Sequence, residues 1–138
     1  MARSGYLSLR VPPPMLRRLD RRALIAGTRK GALAERYVEE GLRMDDHPGV
    51  HFVDGPMGRR PALIGTGLDV WEVVETVEHN DGDPEAAAAY LRISRRIVDV
   101  ALAYYGEYRD EIDLWIERVR ELAALEEARW ERAQDALA

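Results

Sequence analysis

There is no cysteine in the 138 residues. That excludes disulfides, thiolate nucleophiles and cysteine-ligated zinc, and makes a reducing cytoplasm the expected setting. Histidine is scarce, and His47, His51 and His79 show no metal-ligand spacing. The acidic clusters Asp45/Asp46, Asp81/Asp83 and Asp110/Glu111/Asp113 stand where turns and helix starts use them, not where a metal nuclease would. Gly65-Thr66-Gly67 lacks the lysine and the strand context of a phosphate-binding loop. With no nucleophile–base set in view, the expectation is a protein without catalytic residues, metal or cofactor. No apolar run is long enough to span a bilayer, so no membrane partner is expected. The N-terminus turns polar within a few residues, unlike a secretory leader. Lysine is nearly missing as well, Lys30 being the only one, and the Ala/Arg/Glu richness fits a high-GC bacterial genome.

Charge is divided unevenly. Residues 1–43 carry 10 Lys/Arg against 4 Asp/Glu, a net of +6, whereas residues 44–138 carry 10 against 21, a net of −11. Such an asymmetry points to two kinds of partner. The basic head favours a polyanion, and the acidic body suits a basic protein.

The basic part opens with Tyr6-Leu7-Ser8-Leu9-Arg10-Val11, a strict alternation that puts Leu7, Leu9 and Val11 on one face and Tyr6, Ser8 and Arg10 on the other. Pro12-Pro13-Pro14 stop the strand and fit the first turn of a helix over Met15–Ala26. Leu16, Leu19, Ala23 and Ala26 recur at helical spacing, with Arg17, Arg18, Arg21 and Arg22 filling the other side. Gly27 stands where a left-handed C-cap belongs, and Thr28 is placed to N-cap a second helix over 29–43. Some forty residues rarely fold alone, and no disulfide or metal is available to staple them. A second copy pairing strand to strand solves this, covering the apolar face and setting both wet faces side by side. The alternative is that the strand joins a later hairpin of its own chain.

The residues from Tyr6 to Leu42, with Gly27-Thr28-Arg29 at the turn and Glu39-Glu40-Gly41-Leu42 at the end, resemble ribbon-helix-helix proteins of the Arc/MetJ/CopG type. The resemblance implies a dimer whose two-stranded ribbon lies in the DNA major groove. By it, Tyr6, Ser8 and Arg10 would face the bases, and Thr28, Arg29 and Lys30 at the second helix start would hold a phosphate. The chemistry agrees: a β-ribbon fits the major groove, arginine pairs in bidentate fashion with guanine, and a helix N-terminus attracts anions. The Arg17/Arg18/Arg21/Arg22 face either contacts phosphate or is simply solvated.

After a turn at Met44–Gly49, read as a linker, Val50–Asp54 and Pro61–Ile64 flank a glycine-bearing loop and read as a hairpin. Helices are expected over 70–79, 85–91 and 95–105, the last ended by Gly106 and striped by Ile97, Val98, Ala101, Leu102 and Tyr105. The tight Arg92-Ile93-Ser94 connection has helix-turn-helix spacing, for packing or for DNA. The stretch Gly58 to Glu72, with Gly65-Thr66-Gly67-Leu68-Asp69-Val70-Trp71, resembles a small prokaryotic domain family found in VapB-type antitoxins whose partners are PIN-like ribonuclease toxins. Residues 109–138 read as one long charged helix, with Trp115, Ile116, Val119 and Trp130 as candidate partner-binding residues. An intramolecular brace or a coiled-coil seam are the other uses of that stripe.

The expectation is therefore a mainly α chain with short β. It comprises a dimeric ribbon-helix-helix over 1–44, a hairpin plus helix-turn-helix-like domain over 45–108, and a C-terminal helix over 109–138. Taken together, the resemblances imply a cytoplasmic, nucleoid-associated antitoxin. It would bind double-stranded operator DNA as a homodimer or higher even oligomer, repress its own operon and neutralise a cognate toxin. A stand-alone regulator with an oligomerising or sensing C-terminal domain is the alternative.

Overall fold

A computed structural model describes residues 4–138. The chain is mainly helical with one small antiparallel sheet, and it divides into two compact units, Met1–Leu42 and Arg43–Ala138. Among the described residues no helix is long and apolar enough to cross a membrane.

In the first unit an extended segment leads into α1 (Pro13–Ala26). The helix starts two residues before Met15 because Pro13 and Pro14 occupy its first turn, where a missing N–H costs nothing. Pro12 O accepts from the amides of Met15 and Leu16. At the other end Gly27 adopts φ 65°, ψ 31°, the left-handed geometry that glycine reaches without penalty. Its amide bonds Leu24 O, and that of Thr28 bonds Ala23 O, a complete Schellman closure. The second helix, α2 (Lys30–Asp46), begins one residue later than the sequence suggests. Arg29 O accepts from Leu33 N–H, so the cap position falls to Arg29 and not to Thr28. It also continues through Asp46, three residues beyond the expected end, because its last turn has work to do in the second unit.

That unit is built on β1 (Val50–Val53), β2 (Arg60–Leu63), α3 (Val70–His79), α4 (Pro84–Leu91), α5 (Arg95–Glu107) and α6 (Arg109–Leu137). The strands pair antiparallel with Val50 opposite Leu63 and Val53 opposite Arg60, which puts Val50 and Leu63 into the core. Asp83 and Ser94 N-cap α4 and α5 through their side chains, and Arg92 in left-handed geometry closes α4. Val73, Val74 and Val77 of α3 and Val98 and Ala101 of α5 form the dry interior, met by Ile112 and Ile116 of α6. Gly106 does not end α5. The helix runs one residue past it, and the break before α6 falls at Tyr108.

Two polar networks pin this core. Asp69, 8% exposed, precedes α3, and its Oδ2 accepts from Trp71 Nε1 (3.0 Å) and pairs with Arg60 Nε (2.7 Å). Glu72 Oε1 accepts from the Asp69 amide, while Arg60 Nη1 donates to Asp54 O. One carboxylate thus ties the hairpin to the start of α3. The second network centres on Arg43 in the last turn of α2. Its guanidinium makes a fork to Glu111 (2.8 and 3.0 Å), donates to the hydroxyl of fully buried Tyr104 (2.9 Å) and lies 3.8 Å over the Tyr108 ring. His47 stands edge-on to Tyr104 and Tyr108 and pairs with Glu107. This explains why α2 outruns its expected end: Arg43 and the residues just beyond it lie against α5 and the start of α6.

Removing Asp69 strands the Arg60 cation and the Trp71 indole N–H. Asp69→Ala should lower unfolding free energy by about 2–4 kcal/mol in urea titrations. A loss under about 0.5 kcal/mol, the level of a neutral surface change, would refute the pinning role. The hydrogen bonds from Arg43 hold the Glu111 carboxyl below its ordinary range, against partial burial that pushes it up. A carboxylate held down in the folded state contributes stability present above its unfolded value of about 4.3 and lost as pH falls through the folded value. Glu111→Gln should therefore narrow the gap in Tm between pH 7 and pH 3, modestly, because the side chain is more than half exposed. An unchanged gap would show that the fork contributes nothing to acid sensitivity.

Candidate functional site

The first unit presents its expected readers to solvent. Tyr6, Ser8 and Arg10 are all exposed, on a segment that enters no ladder. The sheet contains only β1 and β2, so the alternative of a third strand on the hairpin is not adopted among the described residues. Leu7 and Leu9, the supposed dry face, are 71% and 69% exposed. Leu9 and Val11 instead help line an open groove of about 560 Å³, with Met15, Leu19, Ile25, Ala34 and Tyr37 as its other apolar lining. Arg18, Arg21 and Arg22 rim it. Only Ala23 and Leu33 are buried apolar residues of α1 and α2. An apolar face of this extent on so small a unit is an unfinished core.

Thr28, Arg29 and Lys30 come together at the turn into α2, all exposed. The Thr28 amide is committed to Ala23 O, so the unbonded amides of the helix start are those beginning at Lys30. The Lys30 ammonium lies 3.4 Å from Asp20 Oδ1 on α1, both side chains about half exposed.

The expected partner-binding residues separate into two groups along α6. Ile116 is 5% exposed and belongs to the core of the second unit, so it is spent inside the domain. Trp115 and Val119 are half covered. Past the Arg120–Glu75 contact the helix is open to solvent almost throughout, with Leu122, Leu125, Trp130 and Leu137 exposed. At 1.5 Å per residue the uncovered stretch is about 25 Å long. Trp130, 64% exposed, is the one of the four expected residues that stands clear.

At the helix-turn-helix-like pair α4–α5, Arg92, Arg95 and Arg96 are all exposed. Arg95 is occupied by Glu85 (2.9 Å) and Asp99 (2.8 Å), whose hydrogen bonds raise its already high pKa. Sequence reasoning missed Arg43, His47, Arg60 and Tyr104 as organising residues.

Comparison with protein-family models, with curated proteins and with solved structures returns no match.

The division of α6 has a direct check. Ile116→Ala should cost about 2–5 kcal/mol of stability, as for other buried aliphatic truncations. Trp130→Ala should change it by no more than about 0.5 kcal/mol. A large loss from Trp130→Ala would place that ring in a packed environment and overturn the division.

Proposed function

We propose that the chain is a dimeric DNA-binding antitoxin that represses its own operon and neutralises a toxin of the PIN-like ribonuclease class. The open apolar face of the first unit carries the reading. A second copy of that unit is the simplest cover for Leu7, Leu9 and the groove beneath them, and it supplies the ladder partner that the extended segment lacks. The resulting ribbon would bring two sets of Tyr6, Ser8 and Arg10 onto one wet face. The net charge of +6 over residues 1–43 supports a phosphate-rich partner. Arg10 would read guanine, and the α2 start with Arg29 and Lys30 would fix register on the backbone. A toxin would meet the uncovered half of α6, since Ile116 and its neighbours are occupied within the domain. The antitoxin part rests on the family resemblance and on that bare acidic helix.

Arg10→Ala should weaken binding to the operator upstream of the gene by about tenfold or more at fixed salt, each lost bidentate contact being worth about 1–3 kcal/mol. The variant should sediment as the same oligomer as the parent. Undiminished binding would remove Arg10 from the interface, and a monomeric parent at micromolar concentration would remove the ribbon itself.

A further inference from the structure

We infer that Asp20 is a built-in counter-charge that tempers DNA binding by holding Lys30, a claim that rests on the reading of the first unit as a DNA-binding head. Four carboxylates are present in residues 1–43, and Asp20 is the one on α1, set among Arg17, Arg18, Arg21 and Arg22. The closure at Gly27 brings the two helices together so that Asp20 Oδ1 meets Lys30 Nζ at 3.4 Å. Lys30 is the only lysine in the chain and the first residue of α2, beside the amides left unbonded there.

The ion pair is exposed on both sides, 50% and 55%, so it opens readily and contributes little to folding. Its effect falls on association. For the ammonium to take a phosphate it must leave Asp20, and the carboxylate then remains within reach of the incoming anion. Both steps oppose binding, and both disappear when the carboxylate is neutralised. Asp20 is a positioning residue in this sense: it touches no ligand and acts through Lys30. Such a device keeps sequence-independent affinity low, and specificity is the ratio of specific to non-specific binding.

The test is a set of four full-length proteins, the parent, Asp20→Asn, Lys30→Gln and the double variant. Each is titrated against a random-sequence DNA duplex by fluorescence anisotropy. Asp20→Asn should bind about threefold to tenfold more tightly at about 50 mM salt, with the gain fading towards about 200 mM as the charges are screened. Lys30→Gln should bind more weakly than the parent, and adding Asp20→Asn to it should recover little. Unchanged or weaker binding by Asp20→Asn overturns the inference while leaving the DNA-binding reading in place. A full gain in the Lys30→Gln background also overturns it, since Asp20 would then act as general charge and not through Lys30. A parent that binds no duplex at all overturns the reading and the inference with it. Thermal melts of the four should coincide within a few degrees, which separates the effect from a change in folding.

Discussion

An extended strand turns half of its backbone hydrogen bonds and one row of side chains outward, and the first unit has too little surface to cover either. Everything else about that unit follows from this shortage. Leu7 and Leu9 remain in solvent, the two helices bury only Ala23 and Leu33 of their apolar residues, and a groove stays open along α1. The turn at Gly27 is by contrast fully satisfied, with both terminal carbonyl partners found. Local structure is complete here and tertiary structure is not.

The second unit solves the opposite problem. It has core enough, with valines from α3 and α5 meeting β1, β2 and α6, and it uses polar groups to fix how those layers meet. Asp69 links hairpin to helix, and Arg43 links the end of α2 to Tyr104, Tyr108 and Glu111. Charges held this way are stabilising only because each is hydrogen-bonded on several sides. The acidity of the unit is left for its surface, most openly on the outer half of α6.

The helices and the hairpin were legible because they depend on local period: the 3.6-residue stripes and the glycine and proline stops, whereas the alternation at 6–11, read as a strand, is an extended segment with no ladder among the described residues. The hairpin over Val50–Leu63 and the helix after Asp69 lie where those signals put them. The boundaries that moved are the ones decided at a distance. The end of α2 depends on partners 61 and 68 residues away, which no local window contains. The stripe Ile97, Val98, Ala101, Leu102 and Tyr105 does pack on or against the core, but it left out Tyr104, which lies beside Ala101 on the same face. In the structure Tyr104 fills the core, while Tyr105 stays at the surface, donating to Asp113. Among the candidate site residues, Tyr6, Ser8 and Arg10 are exposed, but so are Leu7 and Leu9, so the alternation does not separate two faces within one chain. Ile116 did not separate from Trp130 in the sequence, since both sit on the same stripe and only packing shows where the domain stops.

The three tryptophans all lie in the second unit, two of them half-buried and one exposed. Trp71 is hydrogen-bonded to Asp69, Trp115 is half covered, and Trp130 is open to water. The first unit contains none. The chain therefore carries its own optical probes: a collisional quencher such as iodide reaches Trp130 before the others, and emission from the inner two reports on the Asp69 network and the docked half of α6. Events confined to the first unit leave that signal dark, so ultraviolet fluorescence distinguishes which unit a binding partner has engaged.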